Sequence, residues 1–153
     1  MDTRDLVLYG LRATGTRALR SIDDVTDDEA RRRPGDNLAS IIWQLGHLAL
    51  ADKGNLERMG VTSSLLASFT DLFKTGTGGP AAYPPLGEVR TAFEQGQFQL
   101  ESAAQEADLS QVVEARNFGT VGEMLIFACY HRGYHIGKMA TLRALFGKPR
   151  LFG

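Results

Sequence analysis

Apolar positions recur at helical spacing in four long segments, and no segment alternates apolar and polar residues as a half-buried strand would. The first segment predicts a helix over roughly residues 4–22, with Leu8, Leu11, Gly15, Ala18, Leu19 and Ile22 on one face. Gly10 and Gly15 each weaken it by up to about 1 kcal/mol relative to alanine, and close approach of a neighbouring helix is the reading that accounts for them. The second segment can be capped by Asp36 or Asn37 and runs to about Met59, with Gly60 just past its end. Ile41, Ile42, Trp43, Leu45, Leu48, Ala49 and Leu50 cover nearly every side of its first half, which predicts deep burial there. Its second half turns polar at Asp52, Lys53, Asn55, Glu57 and Arg58.

Pro84-Pro85 can open the third helix, whose buried stripe is Leu86, Val89, Phe93, Gly96, Leu100, Ala103 and Ala107, fading near Asp108. Thr120-Val121-Gly122-Glu123 has the form of a capping box and starts a fourth helix that continues to Phe146, with Gly147 as its stop and Pro149 beyond. Met124, Phe127 or Ala128, His131, His135, Leu142 and Leu145 lie near one side of it. Between the first two helices, Thr26-Asp27-Asp28-Glu29 is a second capping box that starts one short turn, stopped by Pro34-Gly35. Residues 61–84 lose the pattern, apart from a short helical turn suggested by Leu65, Leu66, Phe69, Leu72 and Phe73. Thr75-Gly76-Thr77-Gly78-Gly79-Pro80 reads as a flexible loop; it lacks the Gly-Lys-Ser/Thr ending and the preceding strand of a phosphate cradle. Four helices of about 20 residues, with one long connection between the second and third, predict an all-α four-helix bundle over a single domain, residues 1–153.

The 153-residue length supports one domain with a substantial core. With 17 basic and 18 acidic residues the net charge is −1, so nothing global points to nucleic acid or an anionic membrane surface. The arginines of Arg31-Arg32-Arg33 are offset by Asp23, Asp24, Asp27, Asp28 and Glu29, and read as a solvated helix end. Cys129 is the only cysteine, which excludes an intrachain disulfide and fits a reducing cytoplasm. The charged start Met1-Asp2-Thr3-Arg4-Asp5 is unlike a signal peptide, and no apolar run approaches the ~18 residues of a membrane span.

Candidate chemistry rests on the three histidines. His131 and His135 are four residues apart, so they project from one helix face and can grip a transition metal together. His47 sits in the apolar half of the second helix. Spacing alone leaves two readings open: hydrogen-bonded core histidines, or ligands of one site if the two helices are neighbours. Three neutral imidazoles would hold one face of a metal and leave a position free for water or substrate. An all-nitrogen set suits Zn²⁺ and Ni²⁺ without separating them from Fe²⁺, Cu²⁺ or Co²⁺. The chain has no Glu-x-x-His for a di-iron carboxylate bundle, and Arg132 stands where a zincin helix carries its glutamate.

These pieces resemble the DinB/YfiT superfamily of bacterial metal-binding four-helix bundles. The matching segments are Asn37-Leu38-Ala39-Ser40-Ile41-Ile42-Trp43-Gln44-Leu45-Gly46-His47-Leu48, the Tyr83-Pro84-Pro85 opening of the third helix, and Thr120-Val121-Gly122-Glu123-Met124-Leu125. They end in His131-x-x-x-His135-x-Gly137-Lys138-Met139-x-x-Leu142-Arg143, so the resemblance spans nearly the whole chain. It implies that His47, His131 and His135 are the metal ligands, that the bundle runs up-down-down-up, and that the protein is a homodimer. Some members of the superfamily it resembles are thiol-dependent transferases or isomerases that use low-molecular-weight thiols, others are amidohydrolase-like, and many have no known activity. Gly133-Tyr134 departs from the residues that relatives often carry there.

A zinc ion in such a site would lower the pKa of bound water towards ~7, and a coordinated thiol would ionise readily. Around the histidines, Trp43 could wall a pocket, although plain core packing also accounts for it, and Gln44 could hydrogen-bond a ligand. Lys138 could face an anionic substrate, or be solvated. Tyr130 and Tyr134 point aside, Glu123 is accounted for by its cap, and Cys129 falls on the opposite face. No carboxylate is placed as a general base, so no catalytic residue is named. The competing expectation is a non-catalytic dimeric stress-response or binding module with a structural or vestigial metal.

Overall fold

The computed structural model describes residues 2–151, which form six helices: α1 (Thr3–Arg20), α2 (Asp27–Arg31), α3 (Ile41–Arg58), α4 (Ser68–Phe73), α5 (Leu86–Glu106) and α6 (Val121–Leu145). The four long ones are the helices expected from the apolar periodicity. The only pairing of strand type among the described residues is an isolated antiparallel bridge between Val112 and Thr120, which closes the α5–α6 connection.

The helix starts follow from local chemistry. Thr26 and Thr120 each accept from the backbone N–H three residues on, while Glu29 and Glu123 reach back to the cap, as the two sequence boxes predict. Replacing Thr120 with alanine should cost about 1 kcal/mol, read as a lower urea midpoint with unchanged helical circular dichroism. A third box, Asp2 with Asp5, starts α1 and was not anticipated. The start of α3 is a correction: the N-cap is Ser40, not Asp36 or Asn37, and its hydroxyl makes no capping bond. The residues before it are held in turns instead, where Arg33 donates to the carbonyls of Asp36 and Leu38. At the other ends, Gly60 and Gly147 take the left-handed backbone that stops α3 and α6.

Side-chain contacts fix the directions of the long helices. At the start of α1, Arg4 donates to the carbonyls of Ala104 and Ala107 at the end of α5, and Arg12 pairs with Glu101 at 3.0 Å, so these two are antiparallel. Along α6, Arg132 reaches the Leu11 carbonyl and Arg143 the Ser21 carbonyl, so α1 and α6 are parallel. Gln44 meets His135 and Asp52 meets Arg132, so α3 and α6 are antiparallel. One core cluster joins Ile41, Ile42 and Leu45 to Leu86, Val89 and Phe93; the other holds Leu56 with Leu100 and Ala104, so α3 and α5 are parallel. The course is therefore up-down-down-up, with α1 and α3 each packed against both α5 and α6.

Gly10 and Gly15 both sit at close approaches, as the sequence suggested: a Cβ at Gly10 would stand 2.9 Å from the Cys129 sulfur on α6, and one at Gly15 would collide with the Gln97 side chain on α5. The long connection between α3 and α5 carries α4, whose Phe69 and Phe73 are buried against the body. The arginine run is partly solvated, with Arg32 exposed, and also makes structural contacts. Arg31 donates to the Tyr83 and Pro84 carbonyls, and Arg32 lies over the Phe146 ring. Burial adds two findings: Leu145, placed near the apolar side of the fourth helix, is exposed, and Asp52, in the half of α3 that turns polar, is buried.

Candidate metal centre

The antiparallel α3–α6 contact brings all three histidines together in the bundle. The ligand-capable atoms of His47, His131 and His135 lie within 4.8 Å of one another. His131 and His135 approach through their Nε2 atoms, 3.0 Å apart. Two nitrogens bound tetrahedrally to one zinc at about 2.0–2.1 Å would lie about 3.3 Å apart, so this spacing suits ligands of one ion.

Two of the imidazoles are oriented by acceptors on their far nitrogens. His47 Nδ1 is 2.8 Å from the Phe73 carbonyl, which can only accept, so Nδ1 carries the proton and Nε2 keeps its lone pair. His135 Nδ1 is 2.5 Å from Gln44 Oε1, and the amide is set by its own Nε2 donating to the Ala39 carbonyl. This is the pattern by which metal-binding histidines are commonly held. Phe73 can offer its carbonyl because its ring packs directly on Gly46, where a side chain would collide with it.

Trp43 is more than core packing. Its indole stacks on His47 at 4.7 Å and 10° between planes, and its Nε1–H donates to Thr77 Oγ1 at 3.1 Å. The glycine-containing loop is thereby tied to one wall of the site. Phe127 stacks on His131. Tyr134 is half-exposed and edge-on to His135 at 5.1 Å, with the Lys138 ammonium 4.6 Å from its ring centre. Cys129 stays outside, against Gly10, and burial pushes its thiol up. Glu123 remains at the α6 cap and Tyr130 is exposed.

Burial disfavours the charged form of each imidazole. His131 is lowered from the usual 6.5 to about 4, by burial first and then by His47 and Arg132. His135 is lowered to about 3, by burial, His131, His47 and Lys138. His47 is lowered by burial, partly offset by its bond to Phe73. All three are neutral at pH 7, the form that binds metal. For the metal-free protein the sign of the linkage is clear: below 6.5 the unfolded chain takes up protons that the folded chain refuses. Stability present above pH 6.5 should therefore drain away towards pH 4, seen as a urea midpoint that falls between pH 7 and pH 5.

The sequence reading missed the buried ion pair beside the site. Arg132 Nη2 is 2.7 Å from Asp52 Oδ2, and both side chains are almost fully enclosed, at 1% and 2% exposure. Arg132 was noticed only as the residue that rules out a zincin. The available signal was an arginine inside an apolar helix, which needs a buried acid somewhere.

The fold and site together define a four-helix bundle with three imidazoles converging from two antiparallel helices. A family model for the DinB superfamily matches residues 11–139, and the chain belongs to that superfamily. No curated protein matches it. Among solved structures it is similar to a conserved protein from Enterococcus faecalis, with a TM-score of 0.72 and 18% identity, covering 97% of this chain and 99% of that one. At that identity the likeness speaks for the fold alone. No described helix is long and apolar enough to cross a membrane.

Proposed function

We propose that the protein binds one divalent transition metal, Zn²⁺ or Ni²⁺, through His47, His131 and His135, and works as a metal-dependent enzyme of the thiol-transferase or small-molecule hydrolase type. The observation that carries this reading is the preset donor geometry: His47 and His135 have their Nδ1–H groups committed to Phe73 and Gln44, which leaves Nε2 for an ion. When bound, the metal supplies a Lewis acid with open positions that favours the ionised form of a water or thiol. The chain's own residues shape what reaches it. Trp43 walls one side, stacked on the His47 ring. Lys138 holds its ammonium over the Tyr134 ring, which is edge-on to His135, and so brings a positive charge beside the site that favours an anionic ligand.

One observation favours a second reading, a non-catalytic module with a structural metal. The converging group consists of histidines only, and the buried carboxylate of α3, Asp52, is committed to Arg132, so no protein base stands ready. Elemental analysis of protein purified without a histidine-rich tag decides metal binding. A panel of thiols with an electrophile, and of labile amides, then separates the readings. Stoichiometric metal with turnover that chelation abolishes is expected; metal without turnover in either panel leaves the structural reading. The proposal includes a homodimer in the cytoplasm, and exposed Tyr9, Ile126 and Tyr130 on neighbouring α1 and α6 are consistent with an interface. Light scattering should return twice the chain mass of 16.7 kDa.

A further inference from the structure

Arg132 touches each of the other three long helices. Its guanidinium donates to the Leu11 carbonyl of α1 at 2.9 Å and to Asp52 of α3 at 2.7 Å, and it lies 5.4 Å from the ring centre of Phe93 on α5. Asp52 also packs against α5, where a Cβ on Gly96 would stand in ordinary contact at 3.7 Å from the Asp52 Cβ. An enclosed ion pair of this kind is weak as a source of stability, because desolvation of both groups offsets their attraction. Arg132 Nε is also left buried without a partner. A bundle selected only for stability would do as well with apolar residues here.

The position of the pair suggests what it does. Arg132 directly follows His131, and successive residues on a helix are turned by about 100°, so fixing the direction of Arg132 fixes that of His131 and His135. Asp52 lies on the helix that carries His47. The polar ties between these two helices run in antiparallel order, Gln44 to His135 and Asp52 to Arg132, and on α3 they fall on either side of His47. The apolar contacts around them, from Leu45, Leu48, Ile136 and Met139, have no such directionality. Side-chain ridges tolerate small slides and rotations, whereas a metal site needs its ligands within about 0.5 Å of the productive geometry. A guanidinium fork against a carboxylate is directional in a way that aliphatic packing is not.

We propose that the buried Arg132–Asp52 pair is a positioning device for the three-histidine site, holding α6 on α3 in the register and rotation at which His131 and His135 converge on His47. This rests on the metal-binding reading above. The test uses Co²⁺ alone as the probe, since its visible absorption reports ligand geometry separately from affinity. The variant D52L/R132M removes both charges while keeping apolar volume, and should fold with helicity like that of the unaltered protein. Its Co²⁺ affinity should fall at least about tenfold, the low end for loss of a ligand-orienting partner, with an altered visible band. L100A, a core truncation in the other apolar cluster, should lose stability while keeping the affinity and the band. Unaltered Co²⁺ affinity and spectrum in folded D52L/R132M would overturn the proposal. If that variant does not fold, R132K decides: it keeps the charge but loses the fork, and the same tenfold loss supports the proposal while unchanged binding sinks it. The two readings fail differently. Absence of Co²⁺ binding by the unaltered protein refutes the metal site itself, whereas equal binding by the unaltered protein and the variants refutes only the positioning role.

Discussion

Substituting alanine for His131 or His135 is expected to weaken metal binding by about a hundredfold or more while the bundle stays folded. The magnitude follows from ligand arithmetic: structural zinc sites with four ligands bind with about 10–16 kcal/mol, or roughly 3 kcal/mol per ligand, and each 1.4 kcal/mol is tenfold. Two geometric facts make His131 and His135 the sensitive pair. They approach through Nε2 at 3.0 Å, and they leave one helix a single turn apart, so neither can be replaced by a neighbour. Folding should survive because the imidazoles are neutral in the folded chain, burial disfavouring their charged forms, so removing one leaves no unpaired charge behind. His131→Ala should therefore unfold at a urea midpoint close to that of the metal-free parent, yet retain no stoichiometric metal after dialysis. Retention of metal at the parent's level after loss of either histidine would remove that residue from the ligand set.

The long helices were legible in the sequence because each pairs an apolar stripe with a recognisable start or stop. Thr120 with Glu123 and the glycine at 147 bracket α6 without any tertiary information. The start of α3 was not legible: Asp36 and Asn37 are good capping residues, but the chain between Arg33 and Leu38 is held by arginine-to-carbonyl bonds that no local pattern announces. The three histidines could be seen as a pair plus one. Their convergence depends on α3 and α6 being antiparallel neighbours, which is a property of the whole bundle. Gln44 was recognisable as a candidate partner because it lies one turn from His47, whereas the role of Phe73 is carried by a backbone carbonyl and leaves no trace in residue type. The burial of Asp52 was not legible, because it stands among Lys53, Glu57 and Arg58 in the polar half of its helix. A buried acid becomes visible only once its basic partner, 80 positions away, is placed beside it.

The burial of Asp52 bears on the second large effect. Asp52→Ala alone should destabilise the protein by about 3–5 kcal/mol, the usual cost of leaving one member of a buried pair unpaired. Arg132 would keep its bond to Leu11 but hold an uncompensated charge at 1% exposure, with Nε already lacking a partner. For a domain of this size the loss corresponds to a fall in melting temperature of about 10 °C, measurable by calorimetry. Replacing both members with apolar residues should instead leave stability near the parent's. Burial pushes the Asp52 carboxyl up even with the guanidinium beside it. An acid raised by burial in the folded state gives up stability as pH rises through that window, in keeping with a desolvation cost that offsets the attraction within the ionised pair. The single and double substitutions thus separate two quantities that a count of salt bridges would merge: the large penalty for breaking the pair, and the small or absent benefit of having it. A single substitution that left the melting temperature within a degree or two of the parent's would mean that water reaches Arg132 and that the pair is less enclosed than the 1% and 2% exposures indicate.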